Sequence, residues 1–350
     1  MTSCVPHVTL LTPYLRLLNH SAQALTRLFF SPGSGFSLLS LTCALMLAAT
    51  FLLMRRARGE RPLPAPRVLA RALFPRWLLR HTSTRADVGF LFLNTLAAGA
   101  LIGWGLFSVE AIAHTVTRGL DSQFGNGAVV HLPSFWSGAI LTLAMFVAYD
   151  FAYWVDHWLK HKIPLLWEFH RVHHTAEVLS PLTNFRMHPV DSLVFANIIA
   201  VALGVTHGVG LHVLGSGAQE ALLSGSNIIL VAFVFGTVHL QHSHIGIRFG
   251  TRWGKVLFSP AHHHIHHSAD RAHFDSNLGA CLAVWDWMFG TLILPENVTG
   301  KLTFGADVTG DRYTPHTMAG SLVWPFVRAA RRLLPRSAPA AAEQVYEPLG

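Results

Sequence analysis

The sequence predicts an all-α fold, a multi-span transmembrane helical bundle carrying a histidine-rich helical cap on its cytoplasmic face. Three observations predict it. The 350 residues are 51% hydrophobic and only 13% charged, with a mean hydropathy of +0.39, whereas soluble domains carry about 25% charge. Several apolar runs approach the roughly 20 residues that a helix needs to cross a bilayer. Seventeen of the 23 histidines fall between His157 and His273, a density that a rare residue does not reach by chance.

The spans follow in order. Phe36–Met54 is charge-free and stops at Arg55-Arg56, and Val88–Val109 is a second such run. Ser134–Tyr149 is a third, its helix continuing through Asp150 to Trp158. Ser192–Leu214 and Leu222–Gln241 complete the set, as two spans or as a re-entrant pair. The first run follows a mildly basic leader without a small-residue cleavage site, so it reads as an anchor and not as a removed signal peptide.

Residues 55–85 hold nine arginines against one acid, Glu60. Excess positive charge marks the cytoplasmic side, which directs the third helix inward and brings His157 and His161 to the cytoplasmic boundary. The last two spans return His239 and His242 to the same face. An integral, multi-pass membrane protein is expected, in the inner membrane if the cell is bacterial. Met318–Leu334 ends in Arg328, Arg331 and Arg332 and reads as an amphipathic surface helix, and the Ala/Pro-rich 335–350 as a disordered tail. Three units result: an N-terminal membrane region (1–130), a histidine-rich domain (131–298) and a C-terminal segment with its tail (299–350).

The histidines form four clusters. His157-x-x-x-His161 puts two imidazoles on one helix face. His170-x-x-His173-His174 adds three, able to serve one ion or to bridge towards a second. His239-x-x-His242-x-His244 is looser, and His263-x-x-His266-His267 repeats the second spacing. Neutral imidazole ligates Fe, Zn, Cu and Ni. Ten imidazoles (His157, His161, His170, His173, His174, His239, His242, His263, His266 and His267) exceed what one ion needs, so two ions are the economical reading, with the two triplets as facing half-sites. One pair at this spacing is weak evidence; the ordered set on one predicted face is strong. His262 and His264 read as neighbours and His207 and His212 as packing residues. His273 reads as a supporting or exposed residue. Cys4, Cys43 and Cys281 are too scattered for a thiolate site or a disulfide framework.

Two other classes compete. A metal transporter needs ligands near the bilayer midplane in broken helices, and these lie at one boundary. A haem-binding membrane subunit needs histidine pairs on facing spans, which leaves two tight triplets unexplained.

The quoted motifs resemble the fatty acid hydroxylase/sterol desaturase superfamily. Asp150-Phe-Ala-Tyr-Trp-Val-Asp-His157-x-x-x-His161, the triplet at 170–174, and Phe185-Arg186-Met187-His188-Pro189 carry the likeness. So do Ser259-Pro260-x-His-His263-x-x-His266-His267-Ser268, Asp275-Ser-Asn277-Leu-Gly279 and Trp285-Asp286-x-x-Phe289-Gly290-Thr291. The likeness spans roughly 135–295, making 131–298 a fatty acid hydroxylase-like domain. It departs at His244, where the family pattern has asparagine. It implies a site of two iron ions, with zinc as a substitute, that uses O2 to hydroxylate a lipid (fatty acyl, polar or sterol-like), or to desaturate it with the same ligands. The motif histidines carry over to nine of the ten residues above, and His239 joins them as lying one turn before His242. Asp156, Asp275 and Asn277 are expected to hold imidazole N–H groups. His188 is expected as ligand or support, and His244 as a possible ligand.

The chain shows no dinucleotide-binding G-x-G-x-x-G motif and no haem module, so a separate electron-donor protein is expected. Nothing points to a nucleic-acid partner.

Overall fold

A computed structural model describes residues 19, 21–59, 62, 64–98, 107–125, 130–306 and 316–334. The described residues are mostly helical, with one two-stranded hairpin, and three helices are long and apolar enough to cross a membrane. The first is α1 (Leu38–Arg58), opened by the Ser37 hydroxyl accepting from the Ser40 amide and closed by Arg55, Arg56 and Arg58, a polarity that suits the helix dipole. Short helices α2 (Pro66–Leu73) and α3 (Arg76–Arg80) carry the arginine-rich segment towards α4 (Thr82–Phe92). A π-helical stretch, Leu93–Ala98, continues α4. The expected second span therefore lies partly outside the described residues. An amphipathic α5 (Val109–Phe124) follows.

Helix α6 (Ser134–Lys162) has 29 residues and is roughly 43 Å long at 1.5 Å per residue, against a hydrocarbon core of about 30 Å. The surplus turns are those that hold Asp156, His157 and His161. Pro164 ends it: the residue before a proline avoids helical geometry, and Ile163 is extended. The same proline opens α7 (Pro164–His174). Helix α8 (Pro189–Leu214) begins at a His188 cap and packs on α5 and α6. Gly204 and Gly208, one turn apart, let α5 approach closely: a Cβ on Gly208 would stand 2.6 Å from the Ala113 carbonyl.

The fifth apolar run is not one helix. Leu222–Leu223 and Ser226–Asn227 pair as a hairpin, and α9 starts only at Ile228, passing through a π-helical stretch at Val234–Val238 to end at Gln241. From 228 to 241 it spans roughly 21 Å, short of a crossing. Ser224 and Gly225, both with positive φ, make the tight turn that starts the hairpin.

The cap comprises α7, α10 (Pro260–His266) and α11 (Val284–Phe289) with their loops. Helix α1 does not stand apart from it: Ala44 and Ala48 bury against Leu240 and Ile245, with Phe51, Leu52, Leu73 and Ile247 around them. The C-terminal helix α12 (Met318–Leu333), expected on a membrane surface, docks on α7 through Arg328 and Arg332. Both close on the buried Glu168 carboxylate at 2.5 Å. The expected disordered tail, 335–350, lies outside the described residues.

Candidate metal centre

Nine of the ten predicted histidines converge into two buried groups. His157, His161, His170, His174 and His266 form the first, and His173, His242, His263 and His267 the second; within each, one ring nitrogen per residue lies within 4.8 Å of the others. The triplets are interleaved, not facing half-sites. In α7 the i,i+4 pair His170 and His174 serves the first group while His173 crosses to the second. In α10 the pair His263 and His267 serves the second while His266 crosses to the first. A helix turns about 100° per residue, so i and i+4 diverge by only about 40°, whereas i+3 departs from i+4 by about 100°.

The ring nitrogens are poised for cations. His157 Nδ1–H donates to the Leu278 carbonyl at 2.8 Å, His170 Nδ1–H to Asp191 at 3.1 Å and His266 Nδ1–H to the Ser276 carbonyl at 2.9 Å. Each Nε2 then carries a lone pair. Yet His157 Nε2 faces His170 Nε2 at 3.1 Å, two lone pairs that repel unless a cation sits between them. His266 Nε2 stands 3.1 Å from His174 Nε2. In the second group the Nε2 atoms of His242, His263 and His267 lie 2.9–3.1 Å from one another, and His173 Nε2 is 3.1 Å from His242. Nitrogens about 2.1 Å from a shared ion and about 90° apart would stand about 3.0 Å from each other. The residues present fit two metal ions held by imidazole.

One short turn orients much of the first group. Asp275 and Asn277 both adopt left-handed backbone (φ 57° and 53°), a conformation that Asp and Asn tolerate better than most residues. The zigzag aims the Asp275 carboxylate at His161 Nδ1 (3.3 Å), the Ser276 carbonyl at His266 and the Leu278 carbonyl at His157. Asp286 pins this turn to α6, accepting from the Leu278 and Gly279 amides and from Trp154 Nε1. The second group has no such frame: Nδ1 of His242, His263 and His267 finds no partner among the described residues.

Five expected site residues sit elsewhere. His239 joins neither group; its Nε2 meets the Ser40 hydroxyl at 2.9 Å and its ring meets Phe36 edge-on, because α1 packs against the cap at this point. His188 caps α8, accepting from the Val190 amide, and donates through Nε2 to the Leu322 carbonyl of α12. His244 donates to the Ala72 carbonyl at 2.7 Å. Asn277 bonds to backbone groups of His262 and Ile293, so it latches the turn and touches no imidazole. Asp156 pairs with Lys160 at 2.6 Å, not with a histidine. The carboxylate that holds His170 is Asp191, which the sequence reading missed. Its signal was an acid placed just ahead of an apolar run.

Burial sets the charge state. His170 is pushed down to about 4 and His173 to about 3, in both cases chiefly by burial. His174, His242, His263, His266 and His267 lie well below the ordinary value, through burial first and neighbouring imidazoles second. Asp275 is held at about 2, above all by its hydrogen bond with His161. The rings are therefore neutral and able to ligate near pH 7. The unfolded chain takes up these protons below the ordinary 6.5, and the folded chain only at lower pH. Stability of the metal-free protein is thus expected to fall as pH drops from 6.5 towards about 4. Thermal unfolding in detergent across that window checks this, and a flat profile would contradict the neutral, buried shell.

Two cavities adjoin the histidines. One of about 460 Å³ is mostly apolar, reaching His157, His170, His173 and His242 past Phe36, Phe195 and Leu230. The other, about 520 Å³, reaches His161, His174, His266 and His267 past Trp167, Arg171 and Arg271.

The family described as fatty acid hydroxylase matches residues 142–291, a stretch that contains every histidine of both groups. The ornithine lipid hydroxylase OlsE of Rhizobium tropici is 28% identical over 181 residues, covering 49% of this chain and 50% of the relative. The alkylglycerol monooxygenase of Danio rerio is 26% identical over 172 residues (49% and 34%), and that of Homo sapiens 24% over 182 residues (51% and 36%). The chain spans half or less of the length of these curated relatives. No solved structure matches it. The family match over residues 142–291 and these hydroxylase and monooxygenase relatives together support placing the histidine-rich domain in the fatty acid hydroxylase superfamily.

Proposed function

We propose that this protein is a membrane-bound di-iron oxygenase that uses O2 and external electrons to hydroxylate a lipid. The observation that carries the reading is the convergence of nine buried imidazoles into two groups at the end of a mostly apolar cavity. When bound, the iron pair supplies the oxidising power needed against an unactivated C–H bond. The chain's own residues do the rest. Phe36, Phe195, Leu230 and Val234 line the cavity that takes the acyl or alkyl chain and keeps water out. Asp191, Asp275 and the carbonyls of Ser276 and Leu278 fix ring orientation and tautomer in the first group. The ornithine lipid hydroxylase and alkylglycerol monooxygenase relatives support a lipid substrate. A haem is disfavoured, since ring nitrogens 2.9–3.1 Å apart leave no slot for a macrocycle.

The metal site is assigned to the cytoplasmic face of a multi-pass protein. The arginine-rich segment 55–85 touches the cap, with His244 on the Ala72 carbonyl and Arg186 on Ser83, so positive charge and histidines share one side. A separate electron-donor protein would approach the cavity edged by Arg171 and Arg271.

The test is metal content of anaerobically purified protein together with lipid mass spectrometry of expressing cells. Close to two irons per chain and a lipid that gains one oxygen atom are expected. A lipid that instead loses two hydrogens makes the enzyme a desaturase with the same site. Protein competent to bind neither iron nor zinc overturns the proposal.

A further inference from the structure

The apolar cavity is not apolar throughout. Asp156 and Lys160 both line it beside His157 and His170. They lie one turn apart on α6, with side chains 5% and 3% exposed. Lys160 is fully committed: its ammonium meets Asp156 Oδ2 at 2.6 Å, the Asp191 carboxylate, and the Asp191 carbonyl at 3.2 Å. Asp191 is committed too, since its other carboxylate oxygen takes the Nδ1–H of His170. What remains is Asp156 Oδ1, a buried carboxylate oxygen with no hydrogen-bond partner among the described residues.

A buried acceptor left without a donor is costly, and more so when it is charged. That calls for a donor from the ligand. We infer that Asp156 is a specificity-determining residue: its free oxygen receives an O–H or N–H group of the lipid near the metal end of the cavity. The substrate class is then a lipid bearing a hydroxyl, amide N–H or ammonium close to the oxidised carbon, not a bare hydrocarbon chain. Lys160 and Asp191 serve as positioning residues, fixing the carboxylate and tying it to His170. This rests on the reading of the cavity as the substrate site.

The test uses binding without turnover, on full-length protein in detergent with its metal loaded. The probes are hexadecanol and hexadecyl methyl ether, which share a chain and an oxygen and differ in carrying O–H or O–CH3. Wild type is expected to bind the alcohol about tenfold more tightly, the scale of one hydrogen bond to a charged acceptor. Asp156→Asn should erase or reverse that ratio. Its carbonyl would turn to Lys160 and its NH2 would face the cavity, a donor where an acceptor had been. Hexadecylamine separates the two donor sources: a still larger advantage assigns the site to cationic head groups, and parity with the alcohol to hydroxyl or amide donors. Equal binding of alcohol and ether by wild type overturns the inference, whether a water or nothing satisfies Oδ1, and so does an unchanged ratio in Asp156→Asn. Neither result touches metal content or lipid oxidation, the measurements by which the oxygenase reading stands or falls.

Discussion

Replacing His266 or His173 with alanine is expected to lower metal content by about one ion per chain and to abolish lipid oxidation. The loss of turnover should exceed about 100-fold, the upper end of what removing an outer hydrogen-bond partner does. His266 belongs to the first group and His173 to the second, so the two variants empty different positions and should fail alike. Metal analysis beside turnover separates this from misfolding, because each variant retains the four or three other imidazoles of its group. His239→Ala supplies the contrast: its ring meets Ser40 and Phe36, so metal content should be unchanged. A variant of His266 or His173 that keeps both metal and activity would sink the assignment.

The largest effect on stability is expected at Arg186, a guanidinium with no exposure at all. It donates to Asp87 Oδ1 at 2.6 Å, to the Ser83 carbonyl at 2.6 Å and to Thr175 Oγ1 at 3.2 Å, while Asp87 Oδ2 accepts from Thr183. The network ties α4 to the chain on both sides of the cap loop at 175–186. Arg186→Met should destabilise the protein by about 3–5 kcal/mol, because it strands Asp87 as an uncompensated buried charge. Adding Asp87→Leu should recover much of that loss. Thermal unfolding of the single and double variants in detergent decides it; if the double is no better than the single, packing around Arg186 matters more than charge.

What could be read from the sequence follows from how local each feature is. The spacing H-x-x-H-H identifies ring-bearing helical faces because helix geometry alone fixes it, and the apolar runs mark the long helices α1, α6 and α8 in the same way. The sorting of His173 and His174 into different groups depends on where α10 lies relative to α7, and spacing within one helix does not encode that. His239 has the right spacing to His242, but the helix ends at Gln241 and His242 leaves helical geometry (φ −102°, ψ 61°), so the two rings do not share a face. Asp191 and the carbonyls of Ser276 and Leu278 are supports brought in by tertiary contact. Only the left-handed Asp275 and Asn277 leave a trace of that turn in residue choice. The hairpin at 222–227 was legible in principle from Ser224-Gly225 between short polar and apolar flanks; hydropathy alone hid it inside an apolar run.

The two cavities share no histidine: His157, His170, His173 and His242 face one, and His161, His174, His266 and His267 the other. The cluster is thus a septum, with a greasy chamber on one side and an arginine-edged vestibule on the other. A lipid in the chamber does not obstruct the vestibule, so a reductant need not wait for product to leave. Steady-state kinetics should then show a ternary complex, with converging reciprocal plots for lipid and donor, in place of the parallel lines of a shared entrance used in turn.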